Sequence, residues 1–154
     1  MDLESLSHFA QVWERVTGAS CPLPMSGAPL EERLMDRLYT MWQGYRCMGL
    51  GAVGGTRHTL LQLAEEARNC FRALQTERFL QGGEVYHPSK TCNFASCTMS
   101  NLRKMWEDAC EMTEMLHSVA VDAGNPYAET CKIAESVMHR HRDRLRCMIS
   151  RCMK

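Results

Sequence analysis

The stretch PYAETCKIAESVMHRHRDRLRCMISRC, residues 126–152, decides the fold of this chain. Its less polar residues recur at intervals of three and four, which is the period of one face of an α-helix. We therefore predict a long amphipathic helix over about 126–152, which the chain enters through Asn125-Pro126. The predicted buried stripe of this helix is Cys131, Ala134, Met138, His141, Leu145, Met148 and Cys152.

Three further stretches show the same period and predict long helices over about 30–50, 56–81 and 101–123. Ser100 is the expected N-cap of the last of these, and Gly82-Gly83 is the expected end of the middle one. A short leading helix is predicted over 2–17. The predicted buried stripes of the three long helices are Leu34, Leu38, Met41, Tyr45 and Met48; Leu60, Leu63, Ala67, Cys70, Leu74 and Glu77; and Leu102, Met105, Ala109, Met112, Leu116 and Val119.

The lengths of the links predict how these helices are connected. Short links join the first two long helices and the last two, so each pair is expected to form an antiparallel hairpin. The link over 82–98 is long enough to run the length of a bundle at about 3.3 Å per extended residue. We therefore predict an all-α, antiparallel four-helix bundle of ferritin-like type, with its crossover between bundle helices 2 and 3. A leading helix and loop occupy residues 1–29 and the bundle occupies 30–154, within one domain.

Composition narrows the classes of partner. The 154 residues include 18 Lys and Arg against 18 Asp and Glu, so no net field attracts nucleic acid or an anionic membrane. Asp2 and Glu4 are unlike the start of a signal peptide, and no apolar run is long enough to span a bilayer. A cytoplasmic protein is expected. The nine cysteines include no C-x-x-C pair, and together with the twelve methionines they are expected mainly as reduced core side chains.

Two segments resemble rubrerythrin-like bacterial proteins of the ferritin-like superfamily. LAEEARNCFRALQTERFLQGGEVYHP, residues 63–88, resembles their second bundle helix with its Gly-Glu-x-Tyr-x-Pro exit. NPYAETCKIAESVMHRHRDRL, residues 125–145, resembles their fourth helix. The resemblance covers about residues 30–145 and implies a bundle in which two E-x-x-H motifs, with one Glu from each remaining helix, hold two irons.

The residues at the implied ligand positions depart from that pattern. With Leu74 in the family's Leu position, Ala67 and Cys70 stand in place of Glu and His. In the last helix Met138 and His141 fall in the corresponding positions, so one of four motif ligands remains. Hard, oxygen-seeking iron needs the missing carboxylates. The resemblance therefore implies a degenerate, non-catalytic bundle that acts as a binding or interaction protein, with no cofactor expected.

Metal binding is the alternative hypothesis, in two forms. Cys70, Met138 and His141 carry thiol, thioether and imidazole groups, which suit a soft ion such as Cu(I). A retained iron site built from Glu66, Glu111 and His141 requires a different helix register. A homodimer through the bundle or the leading helix is also left open. A further hypothesis is a thiol-based redox sensor that pairs Cys92 with Cys97.

Overall fold

A computed structural model describes residues 29–88 and 96–153. These residues form four α-helices and no β-strand: α1 (Leu30–Gly51), α2 (Gly54–Gly82), α3 (Met99–Ala120) and α4 (Ala128–Cys152). For these residues, the prediction of an all-α fold with four long helices is confirmed. The predicted leading helix and its loop, up to residue 28, lie outside the described residues. No helix in the described ranges has a stretch that is both long enough and apolar enough to cross a membrane.

The predicted stripes form a single hydrophobic core. Apart from Glu77 and Cys152, every residue predicted on the four stripes is buried. Glu77 is half-buried, and Cys152, the last residue of α4, is exposed. Phe71 and Ala64 extend the stripe of α2. Burial of this continuous apolar surface is the main source of stability for a domain of this kind.

Each helix packs against two others. α1 contacts α2 and α3, and α4 contacts α3 and α2. Near the start of α1, Glu32 Oε1 lies 2.8 Å from Nη2 of Arg78, which is near the end of α2. At the other end of this pair the helices approach closely at Gly49, where a Cβ would lie 2.9 Å from Cδ2 of Leu61. Glycine at this position therefore allows the close approach of α1 and α2.

The end of α2 and the first residues of the following link are held in place by specific contacts. Gly83 adopts a left-handed conformation with φ of 72°, and its N–H donates to the Phe79 carbonyl at 2.6 Å. Tyr86 then lies beside both helices of the first pair. Its hydroxyl donates to Asp36 Oδ1 at 2.7 Å, and its carbonyl accepts a hydrogen bond from Gln75 Nε2 at 2.9 Å. These contacts hold Tyr86 against both helices of the first pair.

The boundaries of α3 and α4 differ from those predicted. The N-cap of α3 is Thr98, whose hydroxyl accepts the N–H of Asn101 at 3.1 Å, so the assignment of Ser100 as N-cap was wrong. Ser100 lies within the first turn instead. α3 ends at Ala120, and α4 begins at Ala128 rather than at Pro126. The side chain of Asn125 accepts the N–H of Tyr127 at 2.8 Å, and this turn delays the start of α4.

Candidate functional site

A buried histidine lies on the core face of α4. His141 is 0% exposed, because it shares the apolar stripe with Met138 and Leu145, which are buried one turn away on either side. Tyr45 of α1 packs against the imidazole edge-on, with ring centroids 5.4 Å apart and an interplanar angle of 77°. The Tyr45 hydroxyl and both imidazole nitrogens are buried and make no hydrogen bond of good geometry with the described residues.

Glu66 of α2 is the carboxylate that approaches this histidine. Its Oε2 lies 3.4 Å from His141 Nε2, which is longer than an ordinary N–H···O hydrogen bond. Glu66 precedes Ala67 on the buried stripe of α2, so its side chain lies at the edge of the core and is 21% exposed. A helix advances about 100° per residue, which places a neighbour of a core residue at that edge.

Two arginines of α4 flank the same carboxylate. Arg140 Nη2 lies 3.6 Å from Glu66 Oε1, and Arg144 Nη1 lies 3.7 Å from Oε2. They bracket His141, one residue before it and three after it, so one turn of α4 presents an imidazole and two guanidinium groups to Glu66. We call these four residues, Glu66, Arg140, His141 and Arg144, the central polar cluster.

The environment sets the charge of each member of the pair. The pKa of Glu66 is lowered by the contact with His141 and by the charges of the two arginines, which together outweigh the opposing effect of burial. The pKa of His141 is also lowered, because burial disfavours the imidazolium more than Glu66 favours it. At neutral pH the carboxylate is therefore charged and the imidazole neutral. The central polar cluster then carries a net charge of +1, from two guanidinium groups and one carboxylate.

Sulfur and hydrocarbon occupy the other positions that the resemblance assigns to metal ligands. Ala67 and Met138 are 0% exposed, and Cys70 is 6% exposed. Burial and the nearby charge of Glu66 raise the pKa of the Cys70 thiol to about 12. Burial likewise raises the pKa of Cys131 to about 12. Both thiols are therefore protonated at neutral pH, which is the form that does not act as nucleophile or metal ligand.

Glu111 lies apart from the other predicted site residues. Its side chain is 60% exposed and pairs with Arg37 of α1, so the structure brings together Glu66 and His141 but not Glu111. The more buried carboxylate of α3 is Asp108, which the sequence reasoning missed. Asp108 is 8% exposed and accepts a hydrogen bond from Lys104 Nζ at 2.7 Å. The signal for it was available, because Asp108 precedes Ala109 on its stripe as Glu66 precedes Ala67.

Asp108 connects the third helix to the polar part of the interior. Its charge, with that of Glu66, adds to burial in raising the pKa of the Tyr45 hydroxyl well above its ordinary value. Each helix thus contributes at least one polar group near the core, among them Tyr45, Glu66, Asp108 and His141. Within residues 29–88 and 96–153, no group of three or more His, Cys, Asp and Glu side chains has an arrangement suited to holding a metal ion.

Comparisons with known proteins do not assign the chain to a family. No family model matches the sequence, and no curated protein or solved structure gives a significant match.

Proposed function

We propose that this chain is a degenerate ferritin-like bundle whose centre is a structural polar cluster instead of a di-iron site, and that it acts as a non-catalytic binding or interaction protein. The contacts at both ends of the α1–α2 pair support an antiparallel arrangement of these helices. The return of Tyr86 to Gln75, which lies before the end of α2, supports a crossover that runs back along the bundle. This is the connectivity of ferritin-like bundles.

The observation that carries the proposal is the pairing of Glu66 with two arginines. A di-iron centre needs several carboxylates that are free to coordinate cations. Here the carboxylate beside the buried imidazole is already balanced by Arg140 and Arg144. The same two guanidinium groups would repel any cation placed next to His141.

Electrostatics favour this interpretation. A carboxylate attracts a divalent ion placed beside it, and each guanidinium group next to that carboxylate repels the ion. Solvent screens part of this repulsion, because Arg140 and Arg144 are 59% and 38% exposed. One carboxylate opposed by two cations still leaves little attraction to offset the loss of the ion's hydration shell.

The soft-metal hypothesis meets a separate obstacle. Cys70 would bind Cu(I) as a thiolate, but burial and the nearby charge of Glu66 raise the pKa of its thiol to about 12. Binding Cu(I) through this residue requires removing a proton at a large free-energy cost at neutral pH. Cys70, Met138 and His141 therefore act in this proposal as core side chains.

Metal titration of the reduced protein tests the proposal. Protein purified without oxygen is titrated with Fe(II), with Co(II) as a coloured substitute for iron, and with Cu(I), and bound metal is measured after gel filtration. We expect less than about 0.1 ion per chain in each case and no change in helicity or melting temperature on adding chelators.

Each contrary outcome identifies a different error. Two irons per chain would overturn the proposal and restore a di-iron site. One Cu(I) per chain that disappears in Cys70→Ala, but persists in Cys147→Ala, would establish the soft-metal site instead. Cys147 is the matched control because it lies exposed on the outside of α4.

A further inference from the structure

A groove between α1 and α2 shares no lining residue with the central polar cluster. It is open to solvent and has a volume of about 430 Å³. This volume falls within the range of about 300–1,000 Å³ that is common for small-molecule sites. The groove is lined by Trp42, Arg46, Leu61, Ala64, Glu65, Arg68 and Arg72.

The shape of the groove follows from the sequence of the two helices. Ala64 is buried and has a small side chain, so it leaves space between the longer residues around it. Trp42 is held by packing beneath the groove, edge-on to Tyr39 at 5.4 Å and tilted against Phe71 at 6.1 Å between ring centroids. The apolar part of the lining is thus a supported indole ring and the side chain of Leu61, which make a preformed surface.

Positively charged side chains outnumber negatively charged ones in the groove. Arg68 pairs with Glu65 at 3.1 Å, and its guanidinium carbon lies 5.8 Å from the centroid of the Trp42 ring. Arg46 from α1 and Arg72 from α2 make no ion pair with the described residues. Three guanidinium groups and one carboxylate leave a net charge of +2. This surplus matches a dianion, and the planar guanidinium group is suited to phosphate oxygens.

We propose that this groove binds a small ligand that joins a phosphate monoester dianion to a flat ring. Arg46 and Arg72 contact the phosphate from opposite helices. The ring packs on the surface made by Trp42, Leu61 and the guanidinium of Arg68, because guanidinium and aromatic planes both stack with flat rings. A nucleotide and a simpler aryl phosphate share this chemistry. The inference rests on the proposed binding role and gives it a site and a ligand class.

Calorimetric titration of the full chain tests this site. The probes are adenosine monophosphate, phenyl phosphate and inorganic phosphate, at low ionic strength. We expect a Kd of about 10 μM to 1 mM for adenosine monophosphate, from the size of the ligand. Inorganic phosphate is expected to bind at least about tenfold more weakly, because it lacks the ring. If phenyl phosphate binds as tightly as adenosine monophosphate, the ligand class is aryl phosphates in general. If adenosine monophosphate binds tightly and phenyl phosphate does not, the ligand class is nucleotides.

Charge-matched variants locate the binding. Arg46→Ser with Arg72→Ser is expected to weaken adenosine monophosphate binding at least about tenfold through loss of two charge-assisted contacts. The control is Arg103→Ser with Arg146→Ser, which removes the same charge from exposed positions of α3 and α4. It is expected to change the Kd less than about twofold. All four arginines are exposed, and circular dichroism checks that both variants keep their helicity.

A spectroscopic measurement reports the location independently. The indole N–H resonance of Trp42, identified by its absence in Trp42→Phe, is expected to shift on addition of adenosine monophosphate, and that of Trp106 is expected to stay. No saturable binding at 10 mM, equal affinity for inorganic phosphate, or unchanged affinity in the Arg46/Arg72 variant would each overturn the inference. None of these results bears on the bundle centre, which the metal titration tests separately.

Discussion

Replacing Glu66 by Gln tests the structural role of the central polar cluster. The substitution keeps the volume of the side chain but removes the charge that balances Arg140 and Arg144. At 3.4 Å the contact with buried His141 is weaker than a well-formed hydrogen bond to a charged group, so losing the charge there costs about 1–2 kcal/mol. The arginine pairs add little, since Arg140 and Arg144 are 59% and 38% exposed and such pairs contribute at most about 1 kcal/mol. We expect a loss of about 1–2 kcal/mol of unfolding free energy.

Urea denaturation followed by circular dichroism measures this loss at pH 7.5. For a domain of this size it corresponds to a fall in melting temperature of about 3–6 °C. The matched control is Glu65→Gln, the preceding residue, whose carboxylate is 58% exposed and pairs with Arg68 on the surface of the same helix. The control is expected to cost less than about 0.5 kcal/mol. If the two variants are equally stable, the cluster does not support the bundle and the interpretation of Glu66 as a structural group fails.

Three further predictions concern the interior and the exit from α2. Unfolding free energy is expected to fall as the pH drops below about 6.5, because the lowered pKa of buried His141 means that the unfolded chain binds the proton more readily. The loss continues below about 4.5, where the lowered pKa of Glu66 acts in the same direction. His141→Gln should flatten the upper part of the profile, and an unchanged slope between pH 6.5 and 5 would contradict this. Tyr45→Phe is expected to keep or raise the stability at pH 7.5, since the removed hydroxyl makes no hydrogen bond with the described residues; a loss above about 1 kcal/mol in urea would show a partner that matters. Tyr86→Phe is expected to cost about 1–2 kcal/mol, because it leaves Asp36 without the hydroxyl that donates to it at 2.7 Å, and a cost below about 0.3 kcal/mol would refute that role.

The helical fold could be predicted because its signal repeats many times along the chain. The stripe of α4 returns to the same face six times between Cys131 and Met148, and each return is buried as expected. A single mistaken position changes little in such a pattern. Helix ends depend on one or two local hydrogen bonds instead. Thr98 and Ser100 are both good N-caps, and the hydrogen bond from Asn101 to Thr98 decides between them.

The candidate site was less predictable because it depends on residues at the edges of the stripes. Glu66 and Asp108 each lie one position before a buried alanine. A rotation of about 100° around the helix axis separates this edge position from the core position of the alanine. From periodicity alone, Glu66 was a candidate ligand only if the register of α2 was shifted, and Glu111 was the candidate ligand on α3. The structure keeps the original register and still brings Glu66 to His141, because its side chain reaches inward from the edge of the core.

Arg140 and Arg144 change the chemistry expected of the Glu66–His141 pair. In isolation, Glu66 and His141 are ligand types that many metal centres use. The sequence shows Arg140 and Arg144 on either side of His141. Their effect on a bound cation depends on α2 packing against this face of α4. With Glu66 next to His141, the same turn of α4 supplies both the imidazole and the two positive charges that repel a cation. The packing of α2 against α4 therefore favours a cluster of paired charges over a metal centre. Replacing both arginines by glutamine is the change that we expect first to allow Co(II) to bind beside His141.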